Sequence, residues 1–124
     1  MLVRFKSDVT PEMAREARID PRDLGERFVV HALIFREKMW AIITVRDEAA
    51  LPVPVSLLEV EDGTLSRHWS AHITLEGEVV LGPPPLHDLV FLDRCDDGDW
   101  SAINERDKWF DLMTREALKL WPDK

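Results

Sequence analysis

One cysteine, Cys95, stands among 124 residues, so an internal disulfide is excluded, and a lone thiol suits a reducing compartment. No apolar stretch approaches the roughly 20 residues of a membrane span, and Met1-Leu2-Val3-Arg4-Phe5-Lys6 lacks the apolar run of a signal peptide. Those absences predict a cytoplasmic protein with no membrane partner. The sequence also lacks an internal repeat, a glycine-rich phosphate loop, and the Gly-x-Ser-x-Gly and Cys-x-x-Cys patterns. No cofactor and no catalytic residue is therefore expected, which favours a protein that is not an enzyme.

What is present is ordinary for a globular chain: 45% hydrophobic and 32% charged residues, at a length suited to a single domain over 1–124. The net charge of −8 is unevenly placed. Residues 1–27 hold six acids and six bases, 28–87 eight acids and four bases, and 88–124 ten acids and six bases. An anionic field of this kind repels nucleic-acid phosphates and anionic lipid and attracts a basic protein.

The patterning predicts an α+β fold. Leu65, Trp69, Ala71, Ile73 and Leu75 alternate with Ser66, His68, Ser70, His72 and Thr74, with Arg67 the single break, the period of a half-buried strand. Phe28–Phe35 and Met39–Val45 are apolar on both faces and read as a central hairpin. Its connector, Arg36-Glu37-Lys38, contains no Gly or Asn, so a somewhat longer type I loop is expected. Further strands are expected at Leu2–Phe5 (an edge), Val55–Val60, Val79–Leu81 and Leu89–Leu92, with Asp47–Ala50 a loop. Thr10-Pro11 and Asp20-Pro21 signal two short helical pieces at the rim of the core. Pro52 and Pro54 interrupt any ladder, Asp62-Gly63 turns the chain into the next strand of a continuous meander, and Gly82-Pro83-Pro84-Pro85 ends it in an extended link. Ile103, Trp109, Phe110, Met113, Ala117, Leu120 and Trp121 form one apolar arc. They predict a helix from Trp100 or Ser101 to about Leu120, stopped by Pro122 and laid on one face of an antiparallel meander of about five strands.

Four carboxylates crowd Asp93-Arg94-Cys95-Asp96-Asp97-Gly98-Asp99. As a calcium loop the stretch fails, because Cys95 falls at the third position and Asn104 where a bidentate Glu is needed; no metal site is expected. The acids serve better as cap and counter-charge at the start of the last helix. His31, inside an apolar run, reads as a core histidine.

Two functional expectations result. The first is a small acidic protein-binding module that neutralises a basic protein partner, for instance a toxin, in the manner of immunity proteins. Asp93, Asp96, Asp97, Asp99 and Trp100 would form its surface, since tight interfaces use aromatic anchors in a charged surround. The alternative is a small enzyme or ligand binder with a polar cleft over the sheet, carrying His68, His72 and Ser70.

Overall fold

The computed structural model describes residues 1–44, 50–88 and 90–121. Within them the elements run β1 (Leu2–Phe5), α1 (Pro11–Glu16), β2 (Arg27–Arg36), β3 (Lys38–Thr44), β4 (Ala50–Pro54), β5 (Leu58–Asp62), β6 (Ser70–Ile73), β7 (Val79–Gly82), α2 (Val90–Asp96) and α3 (Trp100–Leu120), with short 3-10 turns at Pro21–Asp23, Val55–Leu57 and Pro84–His87. The architecture is α+β, an antiparallel sheet with a C-terminal helix.

The sheet is organised by β2. β3 pairs along one side of β2, from Val30↔Ile43 to Arg36↔Lys38. The other side is divided between β1, through Leu2↔Val29 to Arg4↔Arg27, and β7, through Leu33↔Leu81 to Phe35↔Val79. β4 then adds to β3, β5 to β1 and β6 to β7. The expected continuous meander is thus corrected: Asp62-Gly63 turns the chain, but β5 and β6 lie on different partners. A bulge at His31, between the Val30 and Ala32 pairings, changes which face the chain presents. Phe28, Val30 and Leu33 thereby join one cluster with Val3, Phe5, Ile43 and Val53, while Ala32 joins Ile42, Leu86, Phe91 and Ala102 in another. His31 is buried, as expected of a core histidine, and stacks flat on Phe110 of α3, with centroids 4.1 Å apart and planes at 9°.

The local start signals act as read. The Thr10 hydroxyl accepts from the Met13 amide at 3.2 Å, Asp20 caps the turn at Pro21, and Asp99 Oδ1 accepts from the amides of Ser101 and Ala102 at 3.0 and 3.2 Å. Other expectations are overturned. β1 is interior, because Leu2, Val3 and Phe5 are all buried. Val9, Ala14 and Ile19 sit inside the core instead of at its rim. The β2–β3 hairpin is tighter than expected: Arg36 pairs with Lys38 across Glu37, which takes the left-handed φ of 57°. Pro52 and Pro54 lie within β4, paired with Ile42 and Trp40; an edge strand tolerates them because a missing N–H there costs no ladder bond. The prolines after Gly82 wind into a 3-10 turn, with Pro83 buried. The expected strand at Leu89–Leu92 is α2 over its described residues. Asp88 Oδ1 accepts from the Val90 amide at 3.0 Å, and Phe91 and Cys95, one helical turn apart, are both buried. The loop expected at 47–49, Leu89 and the stop at Pro122 lie outside the described residues; Ala50, placed in that loop, opens β4.

α3 crosses the sheet with Ala102, Met113 and Ala117 buried. Beyond it the Trp121 indole donates to Asp62 Oδ2 at 2.9 Å. The Thr64 hydroxyl and amide and the Trp121 indole hold the Asp62 carboxyl down to about 2 from its ordinary 3.8. A depressed carboxylate pKa contributes stability above the ordinary value and loses it as pH falls through the folded one. Asp62→Asn is therefore expected to lose less stability than the wild type between pH 3.8 and about 2. Urea midpoints at the two ends of that window measure the difference, and equal losses in the two proteins refute the assignment.

Candidate functional site

The acidic stretch folds into α2, the turn after it and the first residue of α3. With Phe91 and Cys95 turned into the core, Asp93 and Asp96, three residues apart, share the outward side of α2. Gly98, at φ 85°, reverses the chain, with Asp97 exposed just before it. Trp100, the first residue of α3, is 75% exposed. Asp99 is placed differently from its neighbours, because its carboxylate is engaged in capping α3.

Beneath α2 lies a groove of about 330 Å³. The sheet lines it with Ile34, Arg36, Trp40, Ile42 and Pro52, and α2 lines it with Leu92, Asp93 and Asp96. A wider space of about 820 Å³ shares Trp40, Pro52 and Asp96 and continues past the edge of β4 to Met13 and Glu16 of α1. Trp40 faces these spaces because it pairs with Ile34 and Pro54 in neighbouring strands, and cross-strand partners share a face. The Lys38 ammonium lies 4.6 Å from the Trp40 ring centroid, so this indole already holds one cation against its face. Trp40 belongs to the candidate surface although the acidic motif gives no hint of it. Its signal in the sequence is only that it is a tryptophan next to a lysine-led strand start, and the pairing register is what brings it under α2.

The charges nearby are partly committed. Arg36 binds Glu78 through two hydrogen bonds of 2.8 and 3.0 Å, which raises the guanidinium pKa further. Arg94 approaches Asp88 at 3.7 Å. Burial pushes the Cys95 thiol up from its ordinary value, which disfavours the thiolate.

The polar-cleft residues are distributed as follows. Ser70 and His72 lie on β6, and the structure adds His87, from the turn after Pro83. The His72 and His87 rings stack at 5.1 Å and 4°. His87 Nε2 lies 3.1 Å from the Ser70 carbonyl and 3.0 Å from the Gly82 carbonyl, with the Ser70 hydroxyl at 3.2 Å. Carbonyls only accept, so this nitrogen carries the proton. His68 is not part of that cluster; it meets Trp109 of α3 edge-on at 6.3 Å. The two grooves beneath and beside α2 are lined by neither His68 nor His72.

Among the described residues no group of three or more His, Cys, Asp or Glu side chains is arranged to hold a metal ion, and no helix is long and apolar enough to cross a membrane. Comparison with known protein families, curated proteins and solved structures returns no match to this chain.

Proposed function

We propose that the chain is a protein-binding module whose α2 corner captures and neutralises a basic protein partner, a toxin-inhibitor type of role. The observation that carries this reading is the placement of Asp93 and Asp96 over an apolar groove that Trp40 lines, with exposed Asp97 and Trp100 at the adjoining corner. Long basic side chains present an aliphatic stem and a cationic head, and this surface offers an apolar groove for the one and carboxylates and the exposed Trp100 indole for the other. Aromatic anchors surrounded by complementary charge supply affinity at the centre and steering at the rim.

The test begins with capture of partners from the native lysate on the immobilised protein and their identification by mass spectrometry. With the captured partner purified, Asp96→Lys combined with Asp97→Lys is expected to weaken binding by about tenfold or more, which is ~1.4 kcal/mol. The same substitutions should flatten the dependence of affinity on ionic strength. Unchanged affinity and an unchanged salt slope in the double variant reject the acidic corner as the contact surface.

A further inference from the structure

Each of β4, β5 and β6 has one strand partner among the described residues, which leaves an outer edge of unpaired backbone groups on each. Natural edges are blunted by proline or charge to prevent unwanted pairing. β4 carries Pro52 and Pro54, and β5 carries Glu59, Glu61 and Asp62. β6 carries neither device. From Ser70 through Leu75 the chain reads Ser-Ala-His-Ile-Thr-Leu, without a formal charge or a proline.

The geometry of this edge is that of an accepting strand. The Thr74 amide donates to the Glu78 carbonyl at 2.8 Å. In an antiparallel ladder the inward-facing residues alternate, so Ser70 and His72 also direct their backbone groups to β7, and Ala71 and Ile73 direct theirs outward. The side chains add an apolar surface to that edge. Met39, Phe35, Val79 and Ile73 form one cross-strand row, and in it Ile73 is 69% exposed. Leu75 beyond it is fully exposed.

We propose that β6 is a self-association edge, on which a second copy of this chain pairs β6 to β6, antiparallel, across a two-fold axis. The ends of the strand suit a copy of itself: Glu76 and Glu78 follow β6, with Arg36 already bound to Glu78, and Arg67, whose 3.5 Å pair with Glu116 is largely exposed on the arginine side and weak, precedes it. An antiparallel copy sets the basic end of each strand beside the acidic end of the other. Symmetry then selects the register. Of the registers in which paired residues share a face, the one that pairs the two outward-directed residues of β6, Ala71 and Ile73, with each other sets the axis between the two His72 residues. Ala71 of each copy stands opposite Ile73 of the other, and the two pairs exchange about four backbone hydrogen bonds. The row from Met39 to Ile73 continues in that register into Ala71, Leu81 and Leu33 of the second copy. The contact is short, which places it in the weak class of interfaces, with a dissociation constant between about 1 μM and 1 mM. It lies at the opposite edge of the sheet from β4 and its groove, so it stands independently of the partner-binding reading.

Sedimentation of the purified full chain tests the proposal. The mass is expected to rise from 14.4 kDa towards twice that value as concentration increases across this range. Ile73→Lys and Ala71→Pro, both on the exposed edge, should hold the protein monomeric with its thermal unfolding intact. The register has its own test. His72→Cys places two thiols opposite each other in a non-hydrogen-bonded pair, at about 4.5 Å between Cα atoms, which a disulfide can span. It should cross-link on oxidation at least about tenfold faster than the exposed control Thr64→Cys. A mass that stays at 14.4 kDa throughout overturns the proposal, and so does a dimer untouched by both edge variants. Equal cross-linking of the two cysteine variants overturns the register.

Discussion

Met113→Ala is expected to lower the unfolding free energy by about 2–5 kcal/mol, the range for emptying a buried methionine site. Met113 is fully buried on α3, and its Sδ accepts the Trp69 indole N–H at 3.3 Å. Trp69 in turn packs on the cluster built around Val3, Phe28 and Val30. Arg67, two residues before it, reaches Glu116 with its guanidinium at 3.5 Å and its amide at 3.2 Å. That exposed ion pair is worth little, below about 1 kcal/mol; the thioether and the indole hold the segment to α3. Removing the side chain leaves a cavity between them and a half-buried indole without its acceptor. Met113→Leu keeps most of the volume and is expected to cost less than about 1.5 kcal/mol. Urea unfolding of both variants separates packing from hydrogen bonding. A loss below 1 kcal/mol for the alanine variant contradicts the role given to Met113.

Gly82→Ala is expected to cost about 1–3 kcal/mol, although alanine is the smallest side chain that can be added. A Cβ at position 82 would stand 2.8 Å from the Ala32 Cβ and 3.4 Å from its Cα. Those atoms are fixed to the backbone of β2, so relief comes only by parting β2 from β7. His87 also donates to the Gly82 carbonyl, so movement here disturbs the stacked histidines as well. Ala32→Gly in the same chain removes the clashing atom and is expected to recover part of the loss. A double-mutant cycle measures the coupling. A neutral Gly82→Ala, or a strictly additive double variant, rejects close packing as the reason for glycine at this position.

Local signals survived into the structure wherever they depend on neighbouring residues alone. Thr10, Asp20 and Asp99 each cap the helix or turn that their sequence announces, and the apolar arc of α3 was legible at Met113 and Ala117, although Leu120 is exposed, Trp121 lies past the helix end and the buried Ala102 stood outside the arc. Pairing was not. Leu65–Leu75 alternates cleanly, yet only Ser70–Ile73 forms a strand, and all four of its residues are exposed. Alternation reports two chemically different faces; it does not say that anything covers the apolar one. Val90-Phe91-Leu92 is short enough to suit either a strand or a buried helical turn, and the Asp88 side chain decides for the helix by accepting from the Val90 amide. At the α2 corner, Asp93, Asp96, Asp97 and Trp100 could be named from composition, whereas Trp40 could not. It arrives from another part of the chain through the register of β2 and β3. His87 was hidden for the same reason, since it meets His72 only because the prolines coil instead of extending.

The division of one side of β2 between two ribbons has a consequence for how the protein is made. The first half of that side is closed by β1, which leaves the ribosome before β2 does. The second half waits for β7, synthesised dozens of residues later. Through that interval Leu33 and Phe35 keep an open flank next to an apolar surface, and long-range strand pairing of this kind is slow to form. The nascent chain is thus most exposed to wrong partners between the completion of the β2–β3 hairpin and the emergence of Val79–Gly82.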